Sequence, residues 1–138
     1  MTSAQTFAEQ YLALWNEPDS GRRRQMIAEL WTEDGRHILQ PPQEIRGIAA
    51  QPGMAMPAIL EAGGYEEIEA RAASAYEHWV GSEGLSFRGR DDAERLGDVV
   101  KFHWEAVAED GTVAAVGLVF LVLAARGRIT RDYTFVVA

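Results

Sequence analysis

An α+β fold, three helices followed by an antiparallel sheet, is predicted by where the apolar residues fall. They recur at helical spacing as far as Trp79 and then, from Leu85, at every second position. A third observation concerns the run Val113 to Leu123, which is apolar on both faces and has to be covered on both.

The first helix lies in TFAEQYLALWN, where Phe7, Tyr11, Leu14 and Trp15 share one stripe and Pro18 stops the chain. PDSGRRRQMIAELW starts a second helix with Asp19 or Ser20 as N-cap; its buried face is Met26, Ile27, Leu30 and Trp31. Arg22, Arg23 and Arg24 oppose the helix dipole in the first turn and read as a solvated face. A strand from Arg36 to Gln40 runs into Pro41 and Pro42. AAQPGMAMPAILEAGG then reads as a loop with a short helical piece at Pro57 to Ala62, placed as a lid or as an ordinary packed connection. The third helix, YEEIEARAASAYEHWV, aligns Ile68, Ala72, Ala75, Tyr76 and Trp79 and ends near Gly81. LSFRGR opens the sheet. In the next strand Val100, Phe102, Trp104 and Ala106 alternate with Lys101, His103 and Glu105, and turns are expected at Glu109 to Gly111 and at Arg126 to Arg128. Three helices cover one face of such a sheet; a second copy of the chain, forming a homodimer through the outer face, is the expected cover for the other.

With 138 residues and 47% hydrophobic composition, residues 1–138 read as a single domain. A net charge of -8 disfavours nucleic acid and anionic membrane surfaces, leaving a small hydrophobic molecule as the expected partner. The absence of cysteine excludes disulfides and thiolate chemistry. No basic region followed by an apolar segment opens the sequence, and Val113 to Ala125 is shorter than a membrane span of roughly 20 residues. A cytoplasmic location follows as the expectation. His37, His78 and His103 have no metal-ligand spacing, so neither a metal nor another cofactor is expected.

YLALWNEPDSGRRRQMIAELWTEDGRHI resembles the opening of SnoaL-like domain proteins of the nuclear transport factor 2-like superfamily, and KFHWEAVAEDGTVAAVGLVFLVLAARGRITRDYTF resembles their closing strands. The resemblance implies a strongly curved sheet that forms a cone with an internal pocket between helices and strands. It also implies relatives such as polyketide cyclases and ketosteroid isomerases. Tyr11 stands where those isomerases keep a tyrosine that donates to the substrate oxygen. Gln40 stands where they keep the aspartate base, and an amide cannot shuttle a proton near neutral pH. Their second acid falls near Val119. A ketosteroid isomerase mechanism is therefore disfavoured.

Asp132 is the remaining candidate for acid/base work. Ile129, Arg131, Tyr133 and Phe135 alternate with Thr130, Asp132, Thr134 and Val136, and the resemblance turns the second set toward the pocket. The alternative is an outward Asp132 paired with Arg131, Arg128 or Lys101. His37 is out of phase with Gln40 and so is expected to face away, while His103 shares the outer face with Lys101 and Glu105. Trp15, Trp31, Tyr76, Phe102 and Trp104 supply a mostly apolar wall, with Gln40 and Thr134 as polar ligand contacts. Together these imply an isomerase, cyclase or lyase acting on a hydrophobic carbonyl compound with Asp132 and Tyr11 as catalytic groups, or a non-catalytic binding or dimerisation domain of the same fold.

Overall fold

The computed structural model describes residues 3–40 and 60–137. Helix α1 (Ala4–Asn16) starts where Ser3 Oγ accepts the Thr6 N–H and stops at Glu17, whose extended backbone suits the residue before Pro18. Tyr11, Leu14 and Trp15 are buried as their stripe requires. Asn16 then pairs like a strand residue with Phe87, donating to its carbonyl and accepting its N–H, which ties the helix end to the sheet. Helix α2 (Ser20–Leu30) is capped by Asp19, which accepts the Arg22 N–H at 2.7 Å. Arg23 departs from the solvated arginine face: it is buried, donates to the Glu17 carbonyl at 2.7 Å and lies over the Tyr76 ring.

Trp31 belongs to the first strand and not to α2. Strand β1 (Trp31–Gln40) begins directly at the end of the helix, five residues before the expected start, and bulges between Trp31 and Arg36. Gly35 makes the bulge possible, because a Cβ there would lie 2.7 Å from the Trp31 ring and 2.9 Å from the Ile129 carbonyl. Strand β2 (Leu60–Gly63) pairs antiparallel with β1, so Leu60 to Ala62 are extended where a helical piece was expected; the rest of that piece and most of the lid segment lie outside the described residues. Helix α3 (Gly64–Ala75) packs Ile68 and Ala72 inward and continues as a π-helical segment, Tyr76–Ser82. The wider π turn rotates the stripe, and Trp79 emerges 40% exposed.

The remaining strands are β3 (Ser86–Gly89), β4 (Glu94–Leu96), β5 (Val99–Val107), β6 (Val113–Leu123) and β7 (Ile129–Val136). The order along the sheet is β2-β1-β7-β6-β5-β3, with the short β4 also on β5. The predicted meander β5-β6-β7 is antiparallel with the expected turns; β1 joins β7 in parallel, the one such pair among the described strands. The sheet stays open and curls around the helices as the predicted α+β cone. Its concave face carries Phe102, Val119 and Leu121 onto Tyr11, Trp31 and Ile129. Its convex face shows Tyr133 and Phe135 to solvent, with Phe120 packed edge-on to Phe135. No helix among the described residues is long and apolar enough to cross a membrane.

Gly117 is the tightest point of the sheet, since a Cβ there would enter the Trp104 indole. Gly117→Ala is therefore expected to displace that ring from its edge-on contact with Phe87 and to cost about 1–3 kcal/mol, read as a lower urea midpoint at unchanged slope.

Candidate functional site

The parallel register of β1 and β7 sets His37 beside Asp132, so their side chains are neighbours on the concave face. Thr134 follows Asp132 on that face by alternation, and α1 lays Tyr11 across both. The Tyr11 hydroxyl donates to Asp132 Oδ2 at 2.6 Å, and Thr134 Oγ1 donates to Oδ1 at 2.7 Å. Asp132 has no exposed surface and neither Arg128, Arg131 nor Lys101 pairs with it, so the inward placement holds and the outward one does not. Ile129 turns inward ahead of it, out of the expected phase, because the β6–β7 pairing shifts register at that end.

His37 corrects the expectation that it faces away. It is buried, its ring lies 5.1 Å from that of Trp15, and its Nε2 is 3.6 Å from Asp132 Oδ2. The relative phase of His37 and Gln40 is as read from the sequence, but the faces are exchanged. Gln40 pairs in register with Phe135, a convex-face residue, and so stands out of phase with Asp132. Had Trp31 been read as a strand residue, the buried positions 31, 35 and 37 would have placed His37 inside. Arg71, on α3, was not singled out in the sequence at all. Its Nη1 donates to His37 Nδ1 at 3.1 Å and to the His37 and Leu60 carbonyls.

The electrostatics follow from burial. Loss of water raises the Asp132 pKa to about 7, against the hydrogen bonds from Tyr11 and Thr134 and the nearby Arg71 charge, all of which favour the carboxylate. Burial, and then Arg71, lowers His37 to about 3, so the ring is neutral at neutral pH and its contact with Asp132 is not an ion pair. A guanidinium can only donate; Nδ1 therefore accepts and the ring proton sits on Nε2, facing Asp132 beyond hydrogen-bond length. Burial and the Asp132 charge raise Tyr11 well above the usual phenol value, which keeps it a donor. The Trp15 and Trp31 indole N–H groups are buried with no hydrogen-bond partner among the described residues.

Of the expected wall, Trp15, Trp31 and Phe102 stand within 6.0 Å of the Tyr11 ring, centroid to centroid. Trp104 does not join them: two residues further along β5 than Phe102, it packs on Phe87. Tyr76 lies under Arg23. His103 is held by Asp92 at 2.7 Å, away from the cluster.

Solved structures match this fold along almost the whole chain. One, a protein of the SnoaL-like family from Agrobacterium tumefaciens named as a candidate isomerase, is 26% identical over 99% of this chain and 98% of its own, with a TM-score of 0.77. The chain has the SnoaL-like fold. A second SnoaL-like protein, of unknown function, from Burkholderia thailandensis is 18% identical over 98% of this chain and 94% of its own, with a TM-score of 0.63. A hypothetical protein with a ketosteroid isomerase-like fold from Catenulispora acidiphila, solved with trimethylamine, is 15% identical over 96% of this chain and 85% of its own, also at 0.63. No protein-family model and no curated protein matches the sequence. In this chain the titratable carboxyl of Asp132 on the concave face comes from β7, with Gln40 at the end of β1 and Val119 beside Thr134 in the β6–β7 register.

Proposed function

We propose that this SnoaL-like protein is a cofactor-independent acid/base enzyme acting on a hydrophobic carbonyl compound. The isomerisation, aldol-type ring closure or lyase step would be run by Asp132. The observation that carries the reading is a fully buried carboxyl with a pKa of about 7, held by Tyr11 and Thr134. The Asp132 carboxylate would take the proton α to the carbonyl, the negative charge would develop on the substrate oxygen, and the protonated Asp132 would return the proton at the product position. His37 Nε2–H and the Trp15 indole N–H support this as donors without a hydrogen-bond partner among the described residues. Tyr11, expected to donate to the substrate, donates its hydrogen bond to Asp132 in the resting site and so holds the base. The apolar wall of Trp15, Trp31 and Phe102 suits a hydrophobic substrate.

The test is deuterium uptake from D2O at the α-carbon of a panel of cyclic and aromatic ketones, followed by NMR. Uptake above the buffer rate is expected, with an apparent pKa near 7. Compounds that raise the melting temperature without exchanging would instead support a binding module, a reading favoured by the full enclosure of Asp132 and by the trimethylamine held in the Catenulispora structure. We also infer a homodimer through the convex face, where Tyr133 and Phe135 are exposed; sedimentation as a monomer at micromolar concentration would contradict it.

A further inference from the structure

A cavity lies apart from the Asp132 cluster. It is a groove of about 690 Å³ between α1 and α2, lined also by the β6–β7 turn, and its volume is that of a small-molecule site. One face of α1 lines it from Ser3 to Ala13, a length of about 15 Å at the helical rise. The floor is apolar: Leu30, Val100 and Leu123 are core side chains whose outer surfaces end at the void, flanked by Phe7 and Met26.

The rim is positive in a strongly acidic protein. Among the described residues Arg22, Arg95, Arg126 and Arg128 line it against Glu29 alone, whereas the whole chain carries 13 basic and 21 acidic residues. Three of the four come from one end of the sheet: Arg126 and Arg128 on the β6–β7 turn, and Arg95 on β4, whose turn into β5 meets β6 where the Leu123 N–H donates to the Asp98 carbonyl; Ala93, just before β4, donates to the Gln5 side chain in the first turn of α1. Among the described residues Arg128 reaches only the Ala28 carbonyl, and Arg95 uses its Nε on the Gly97 carbonyl. Neither these two nor Arg126 forms an ion pair among the described residues. The first turn of α1 contains no acidic residue, so the positive end of its dipole adds to the same field.

We propose that this groove binds amphipathic anions: one carboxylate head at the arginine end, on a linear apolar chain lying along α1 over Phe7, Met26 and Leu123. Charge complementarity selects the head and the apolar floor selects the chain. The site is independent of the chemistry at Asp132.

Titration of the isotopically labelled protein with octanoate, followed by amide NMR, tests this directly, with butanoate, octan-1-ol and inorganic phosphate as comparison ligands. Saturable shifts are expected at Phe7, Met26 and Gly127, tighter for octanoate than for butanoate. They should weaken at least about tenfold in the Arg95→Gln/Arg126→Gln double variant, whose spectrum also reports that it is folded, and weaken as salt is raised. Equal binding of octan-1-ol, equal binding of phosphate alone, shifts centred on Tyr11 and Trp15, or no shift at millimolar octanoate would each overturn the proposal.

Discussion

Asp132→Asn is expected to abolish α-proton exchange, a loss of at least about a hundredfold, while making the protein more stable above pH 7. The two effects share one cause. Above its pKa of about 7 the buried Asp132 is charged in the folded protein without a cation in contact among the described residues, whereas the same group ionises near 3.8 when exposed. At about 1.36 kcal/mol per unit the difference costs up to about 4 kcal/mol of stability. Asparagine keeps the shape, can accept from Tyr11 and can donate to Thr134, but carries no charge. Denaturant midpoints at pH 8 to 9 should therefore rise as exchange disappears. A variant that exchanges normally would remove Asp132 from the chemistry. One that loses stability at high pH would make the carboxylate a structural partner.

The second large effect is a pair of opposed pH dependences that nearly cancel in the wild type. Asp132 is raised on folding, so its contribution is fully present below about 3.8 and is lost as pH rises to about 7. His37 is lowered from 6.5 to about 3, so the folded protein resists protonation and stability is lost as pH falls through that window. Relative to wild type, Asp132→Asn should gain stability progressively from about pH 4 to 7, and His37→Gln progressively from about pH 6.5 down to 3. Taking each variant as a difference from wild type removes the background from surface carboxylates such as Glu105 and Asp110, whose pKa values are lowered in the folded protein. Urea midpoints at half-unit steps of pH measure both curves. Opposite slopes are expected; a flat Asp132→Asn difference would mean an ordinary aspartate.

Much of this is legible in the sequence wherever one element alone decides it. Asp132 and Thr134 alternate with Tyr133 and Phe135, and the stripe of Tyr11, Leu14 and Trp15 needs only the helical period. The rest depends on how separate elements meet. His37 joins the cluster because β1 lies parallel to β7 in a register that pairs it with Asp132, and no local pattern specifies that register. Arg71 reads as a surface helix residue until α3 is packed on β1, where its guanidinium finds His37 and two carbonyls. Arg23 looks solvated among three arginines until Tyr76 and the Glu17 carbonyl cover it. Gln40 invites a role at the strand end because the family resemblance puts a base there; the bulge at Gly35 and the β7 register give the concave face to His37 instead.

The pKa of Asp132 is the most direct test of an acid/base site on β7. Carboxyl-carbon NMR titration of the folded protein, with Asp132→Asn to assign the resonance, should give a midpoint of about 7. A midpoint at or below 3.8 would show a carboxylate already stabilised as its anion, and would contradict the proton-transfer role assigned to it.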